Sequence, residues 1–134
     1  MKGKILIVDD EESMRRLLSQ LFSAEGYEVA AAENGPSALE ILRHSVIDVI
    51  FLDLKLFSMD GIELCRKIRE TQPVSMIFAV TGWSPLFGIE ECRGAGFDDY
   101  FEKPLDMKLI LASVEDAFGK LNRWKRLYSN PSTP

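Results

Sequence analysis

Five short apolar runs, each followed by a polar segment or one of helical periodicity, constrain this chain more than any other feature of its sequence. Ile5-Leu6-Ile7-Val8, Tyr27 to Ala32, Val46 to Leu52, Met76 to Val80 and Phe97 to Phe101 have the length and the β-branched or aromatic content of strands. Glu12 to about Ala24 places Met14, Leu17, Leu18, Leu21 and Phe22 three and four positions apart, one apolar stripe that Gly26 brings to a stop. Asn34-Gly35-Pro36-Ser37 turns into a helix carrying Ala38, Leu39, Ile41 and Leu42, and Asp60-Gly61 opens another through Ile62, Leu64, Cys65 and Ile68. A shorter helix is expected around Leu86 to Arg93, ended by Gly94-Ala95-Gly96, and a long one follows Pro104. Strict alternation of five strands and five helices predicts an α/β fold, a doubly wound parallel sheet with helices on both faces. The nearly continuous apolar character of Val46 to Leu52, broken only by Asp48, marks it as a buried central strand.

At 134 residues and 15.1 kDa the chain is one domain's worth of protein, and its net charge of −5 and pI near 4.9 argue against direct nucleic-acid binding, which needs clustered positive charge. No apolar run approaches the roughly 20 residues that cross a bilayer, and the N-terminal run is too short for a signal peptide, so a cytoplasmic protein with no membrane contact is expected. Cys65 and Cys92 lack the spacing of a zinc site or a disulfide framework and read as reduced, partly buried thiols. His44, the only histidine, falls near the end of the second helix and reads as a solvated residue, leaving no room for a phosphohistidine relay within the chain.

In a doubly wound sheet, ligands gather outside the carboxyl ends of the strands, so the residues that follow each apolar run are the ones to inspect. Asp9-Asp10-Glu11-Glu12 follows the first run, Asp53 the third, Thr81-Gly82 the fourth and Lys103-Pro104 the fifth. If those strands are neighbours, three carboxylates, a hydroxyl and an ammonium share one rim. Carboxylates so placed repel one another unless a cation joins them, and an oxygen-rich acidic site suits Mg²⁺ (or Mn²⁺), which completes its shell with water and phosphate. A phosphoryl group there would meet the Lys103 ammonium and the Thr81 hydroxyl, with Asp53 as a carboxylate nucleophile for an acyl phosphate. Glu11 and Glu12 read as acidic residues suited to the positive end of a helix dipole, and Asp60 reads as an N-cap.

Asp9-Asp10, Phe51-Leu52-Asp53-Leu54, Met59-Asp60-Gly61, Val80-Thr81-Gly82 and Tyr100-Phe101-Glu102-Lys103-Pro104 occur in this order on these elements. As a set they make the chain resemble, from about Lys4 to Gly119, the receiver domain of two-component response regulators. The resemblance implies a CheY-like, flavodoxin-like sheet in strand order 2-1-3-4-5. It implies that Asp53 accepts a phosphoryl group from a sensor histidine kinase or phosphotransfer protein. It implies that Asp10, Asp53 and the backbone carbonyl of Lys55 coordinate Mg²⁺, with Asp9 helping through water. Lys103 would contact the phosphoryl group, Thr81 would move toward it, and Tyr100 would turn inward. That would remodel the face made by the fourth helix, fifth strand and fifth helix for a downstream effector or a fused output domain. The Lys103-Pro104 bond is often cis in such domains. The protein would then be a phosphorylation-gated switch rather than an enzyme with output chemistry of its own.

Two departures stand out. Phe57 replaces a usual proline in Lys55-Leu56-Phe57-Ser58, and Gly82 replaces a commoner alanine beside Trp83. Lys55 and Trp83, each two positions beyond a site residue, are expected to tune the lifetime of the phosphorylated state. Leu86 and Phe87 join Trp83 in an apolar cluster that either packs inward or marks a partner surface. A Mg²⁺-dependent phosphohydrolase of the haloacid dehalogenase type would need a second acid two positions after the nucleophile, where Lys55 stands. A flavin carrier would need a phosphate-cradling loop where Asp9-Asp10 would repel phosphate.

The last helix outruns the domain. Ile110, Val114, Ala117, Leu121, Trp124 and Tyr128 continue one heptad stripe across Gly119. It is either an overlong helix packed on its own domain, or a continuation toward an output domain or a second copy in a homodimer. Residues 1–119, the receiver-like part, hold 12 basic and 21 acidic residues, whereas 120–134 hold Lys120, Arg123, Lys125 and Arg126 with no acid. Ser129 to Pro134 has the composition of a disordered tail.

Overall fold

The structure, a computed structural model, describes residues 2–56, 60–82 and 88–129. Expectations for Phe57, Ser58, Met59, Trp83, Leu86, Phe87 and the tail from Asn130 therefore lie outside the described residues. Among those described, the order is β1 (Lys4–Val8), α1 (Glu12–Ala24), β2 (Glu28–Ala32), α2 (Gly35–His44), β3 (Val49–Asp53), α3 (Gly61–Thr71), β4 (Met76–Thr81), α4 (Ile89–Ala95), β5 (Asp99–Glu102) and α5 (Met107–Ser129). The strands form one parallel sheet in the order β2-β1-β3-β4-β5.

Period-two alternation divides the core between the two faces of the sheet. Ile5, Ile7, Val49, Phe51, Phe78, Val80 and Phe101 face α1 and α5, where they meet Leu18, Phe22, Ile110, Val114, Ala117 and Leu121. Leu6, Val8, Ile50, Leu52, Ile77 and Ala79 face α2, α3 and α4, meeting Ala38, Leu42, Ile62, Cys65, Ile68 and Ala95. Phe51 anchors the first layer, its ring 5.3 Å from those of Phe22 and Phe78. Burial of this order, about 25 cal/mol per Å² of apolar surface, is what offsets the chain's conformational entropy.

The third strand is shorter than its apolar run suggests. It starts at Val49, while Val46 is solvent-exposed and Asp48 lies before the strand. There the Asp48 carboxylate accepts the Lys4 backbone N–H at 3.4 Å and pairs with Lys125 at 2.7 Å, and its backbone carbonyl accepts the Met76 N–H. On the β1 side the Lys4 N–H thus meets a side-chain carboxylate rather than a backbone carbonyl, and the β1–β3 pairing starts only at Ile5 and Val49. The fifth strand likewise starts at Asp99 rather than Phe97, and among the described residues α4 runs from Ile89 to Ala95. Leu17 sits on the α1 stripe in sequence but is exposed, and Leu18 and Phe22 carry the buried contact. His44 is exposed as expected, but it has a partner, Glu40 Oε1 at 3.1 Å.

Caps fix the helix starts that matter for the rim. The Asn34 side chain accepts the Ser37 N–H at 2.8 Å, and Asp60 accepts the Glu63 N–H at 2.7 Å, as its position predicts. Gly61 is required by close approach, because a Cβ there would stand 2.6 Å from Leu54 Cα and 2.7 Å from Asp53 O. Its N–H donates to Leu54 O at 2.9 Å, tying the start of α3 to the exit of β3. Gly61→Ala should therefore cost about 1–3 kcal/mol by forcing these backbones apart. Chemical denaturation measures it, and an unchanged midpoint would contradict this contact.

α5 runs unbroken through Gly119. Its seam is buried from Ile110 to Leu121 and then uncovered, with Trp124 58% and Tyr128 82% exposed and their rings stacked at 6.5 Å. The helix therefore packs on its own domain only as far as Leu121, and Lys125 reaches back to Asp48 beyond that point.

Candidate functional site

The strand order decides which chain ends meet. β1 and β3 are neighbours whose crossovers run to opposite faces, which opens a crevice at their carboxyl ends. Asp9 and Asp10 leave β1 into that crevice, and Asp53 is the last residue of β3, paired in register with Val80. One oxygen from each of these three carboxyl groups lies within 4.8 Å of the others, a spacing that one divalent cation can bridge. Lys103 follows β5, two strands from β3, so its side chain must span about 10 Å of sheet. It does so across β4: its ammonium lies 3.2 Å from Asp9 Oδ2 and 3.3 Å from Asp53 Oδ2. The Lys103-Pro104 peptide is cis, and the Lys103 N–H donates to Thr81 O at 2.8 Å.

Asp9 and Asp53 are 2% and 5% exposed, and each carboxylate is held at both oxygens. Asp9 Oδ1 accepts the Glu11 N–H at 2.9 Å, and Asp53 Oδ1 accepts the Lys55 N–H at 3.0 Å. Burial raises the pKa of Asp53 above the ordinary carboxylate value, and Asp10 adds to the rise, while the Lys55 N–H and Lys103 oppose it. Asp9 is also raised, first by burial and further by Asp53, against the pull of the Glu11 N–H and Lys103. Burial works to lower the pKa of Lys103, but Asp53 and Asp9 outweigh it, so the net shift is upward and the ammonium stays charged. A site with an uncompensated carboxylate excess and oxygen donors converging within one coordination sphere fits a hard cation such as Mg²⁺.

Asp9, Asp10, Asp53, Lys103 and the backbone of Lys55 are thus brought together. Thr81 ends β4, half-buried on the same rim. Tyr100 is not part of the cluster, since it lies on the edge strand β5, in register with Ala79, with its side chain largely exposed. Glu11 is the residue that sequence reading assigned only to the helix dipole. Its Oε1 lies 3.3 Å from Lys103 Nζ, and its side chain makes no capping bond to α1. The one sequence signal was that glutamate is a poor N-cap.

The family model for the response regulator receiver domain matches residues 5–115. The chain belongs to the response regulator receiver family. Among its relatives, this receiver is 36% identical over 115 residues to sporulation initiation phosphotransferase F of Bacillus subtilis, covering 86% of this chain and 93% of that protein. It is 32% identical over 126 residues to a cyclic di-GMP phosphodiesterase of Thermotoga maritima, covering 94% of this chain but only 33% of that one. The receiver thus spans about a third of that relative's length, and 25% and 53% of two others. A receiver domain structure from Methanospirillum hungatei superposes with a TM-score of 0.86 at 28% identity, covering 90% of this chain and 97% of that one. Among the described residues, no helix is long and apolar enough to cross a membrane.

Proposed function

We propose that this receiver is a phosphorylation-gated switch in which Asp53 accepts a phosphoryl group from the phosphohistidine of a sensor histidine kinase or phosphotransfer protein. The observation that carries the reading is the Asp53 carboxylate at the tip of the central strand, clustered with Asp9 and Asp10 and paired with the Lys103 ammonium, which also bonds Asp9. A carboxylate oxygen of Asp53 forms the new P–O bond as the P–N bond to the donor imidazole breaks, its electron pair remaining on the nitrogen. Lys103 supplies fixed positive charge where negative charge collects on the phosphoryl oxygens. Asp9, Asp10, Asp53 and the Lys55 carbonyl would hold Mg²⁺ (or Mn²⁺), which supplies charge neutralisation for the phosphoryl oxygens. The Lys55 N–H orients Asp53 through Oδ1.

Thr81 and Tyr100 are the response elements in this reading, one on the site's rim and one exposed on β5 with room to change position. Residues 1–119 form the receiver, and 120–134, a continuation of the last helix as far as Ser129 followed by a tail, lead toward the body that reads its state, whether an effector, a fused output domain or a second receiver. Lys55 takes the place of the second acid that a haloacid dehalogenase-type hydrolase needs, so a switch is favoured over an enzyme. Incubation with acetyl phosphate and Mg²⁺, read by intact mass, should give a single phosphoryl adduct on the native chain and none on Asp53→Asn. Equal labelling of both would overturn the reading.

A further inference from the structure

We propose that Glu11 is a positioning residue that occupies one N–H donor of the Lys103 ammonium and must release it to the incoming phosphoryl group before the acyl phosphate is stabilised. The inference rests on Asp53 being the phosphoacceptor and adds a residue that acts through Lys103. A lysine ammonium has three N–H donors, and here three carboxylates take them: Asp9 at 3.2 Å, Glu11 at 3.3 Å and Asp53 at 3.3 Å. A phosphoryl oxygen arriving at Asp53 needs one of those donors. Asp9 cannot give one up cheaply, because its side chain is buried and its Oδ2 would lose the Lys103 ammonium with no water to replace it. Asp53 carries the phosphoryl group itself. Glu11, with a side chain 59% exposed, can return to water at little cost, and it is the partner that exchanges.

The local backbone supports a role for the side chain alone. Glu11 occupies the N-cap of α1 in an extended conformation, yet its carboxylate makes no cap bond. The turn at Glu11 is fixed by its own N–H on Asp9 Oδ1, which glutamine or aspartate at position 11 would leave in place. Its neighbour Glu12 carries the same charge but pairs with Arg16 at 2.8 Å, so it provides a control that alters charge without touching Lys103.

The test compares the rate of phosphoryl adduct formation at subsaturating acetyl phosphate and saturating Mg²⁺ for the native chain, Glu11→Gln, Glu11→Asp and Glu12→Gln. Glu11→Gln should be faster by roughly two- to fivefold, the range of an exposed ion pair. Glu11→Asp keeps the charge but loses a methylene of reach, and should also be faster than native. Glu12→Gln should match native. The gain of Glu11→Gln should shrink at an ionic strength near 1 M, where the screening length falls to about 3 Å. Three results would each overturn the assignment: Glu11→Gln no faster than native, Glu12→Gln equally fast, or Glu11→Asp indistinguishable from native. A native chain that takes no phosphoryl group overturns the proposed function and this inference together, whereas normal labelling with no effect at Glu11 overturns this inference alone.

Discussion

Lys103→Ala should slow phosphoryl transfer from acetyl phosphate by about 10²- to 10³-fold, the usual cost of removing one preorganised donor from a developing oxyanion. The size follows from where the ammonium sits. It is largely buried, crosses β4 to reach Asp53, and is held charged by Asp9 and Asp53, so no water molecule can replace it as a fixed positive centre. The same substitution should tighten Mg²⁺ binding, because removing a positive charge leaves the three carboxylates with only the divalent ion to neutralise them. Weaker transfer with tighter metal binding separates loss of Lys103 chemistry from collapse of the site. Lys103→Arg should recover only part of the rate, since a planar guanidinium does not reproduce a compact point charge inside a crevice. Initial rates by intact mass and Mg²⁺ titration measure both effects. Transfer at the native rate in Lys103→Ala would remove this residue from the chemistry.

The second large effect is on stability. Burial raises the pKa of both Asp53 and Asp9. A carboxyl group whose folded pKa exceeds its unfolded value supports the fold while the pH is below the unfolded value of 3.8, and that support is lost as pH rises through the folded value. Above the folded values, ionising either group costs stability that Lys103 offsets only in part, until a divalent cation joins them. Without Mg²⁺ at neutral pH, Asp53→Asn should melt above the native chain, and its advantage should vanish below pH 3.8. Adding Mg²⁺ to about ten times its Kd should raise the native Tm by roughly 5 °C and leave Asp53→Asn nearly unmoved. Chelation should reverse the native shift. Thermal melts across pH and Mg²⁺ concentration test all of this, and an equal Mg²⁺ response in both proteins would contradict a metal site that includes Asp53.

Much of the fold was written locally. Ile5 to Val8, Met76 to Val80 and the α1 periodicity announce themselves through neighbours in sequence, and the carboxylates of the rim follow directly from where the apolar runs end. What local pattern could not reveal depends on partners far along the chain. Asp48 looked like a flaw in a buried strand, but it is the acceptor for Lys125, 77 residues away. Arg69 lies on the polar face of α3. Its guanidinium bonds Gly96 O, Pro73 O, Ser75 O and the Asp98 carboxylate, joining the ends of α3 and α4 to the start of β5. No periodicity encodes those pairings. Glu11 is the same case within the site, since its meeting with Lys103 spans 92 residues and exists only once β5 lies two strands from β3.

The central claim is that Asp53 is the residue that carries the phosphoryl group. The most direct measurement is to phosphorylate the native chain with acetyl phosphate and Mg²⁺, trap the acyl phosphate by borohydride reduction, and locate the reduced residue by peptide mass spectrometry. The site described here predicts reduction at position 53 alone. Reduction at Asp9 or Asp10, or a phosphoryl group that resists borohydride and maps to a hydroxyl such as Thr81, would contradict it.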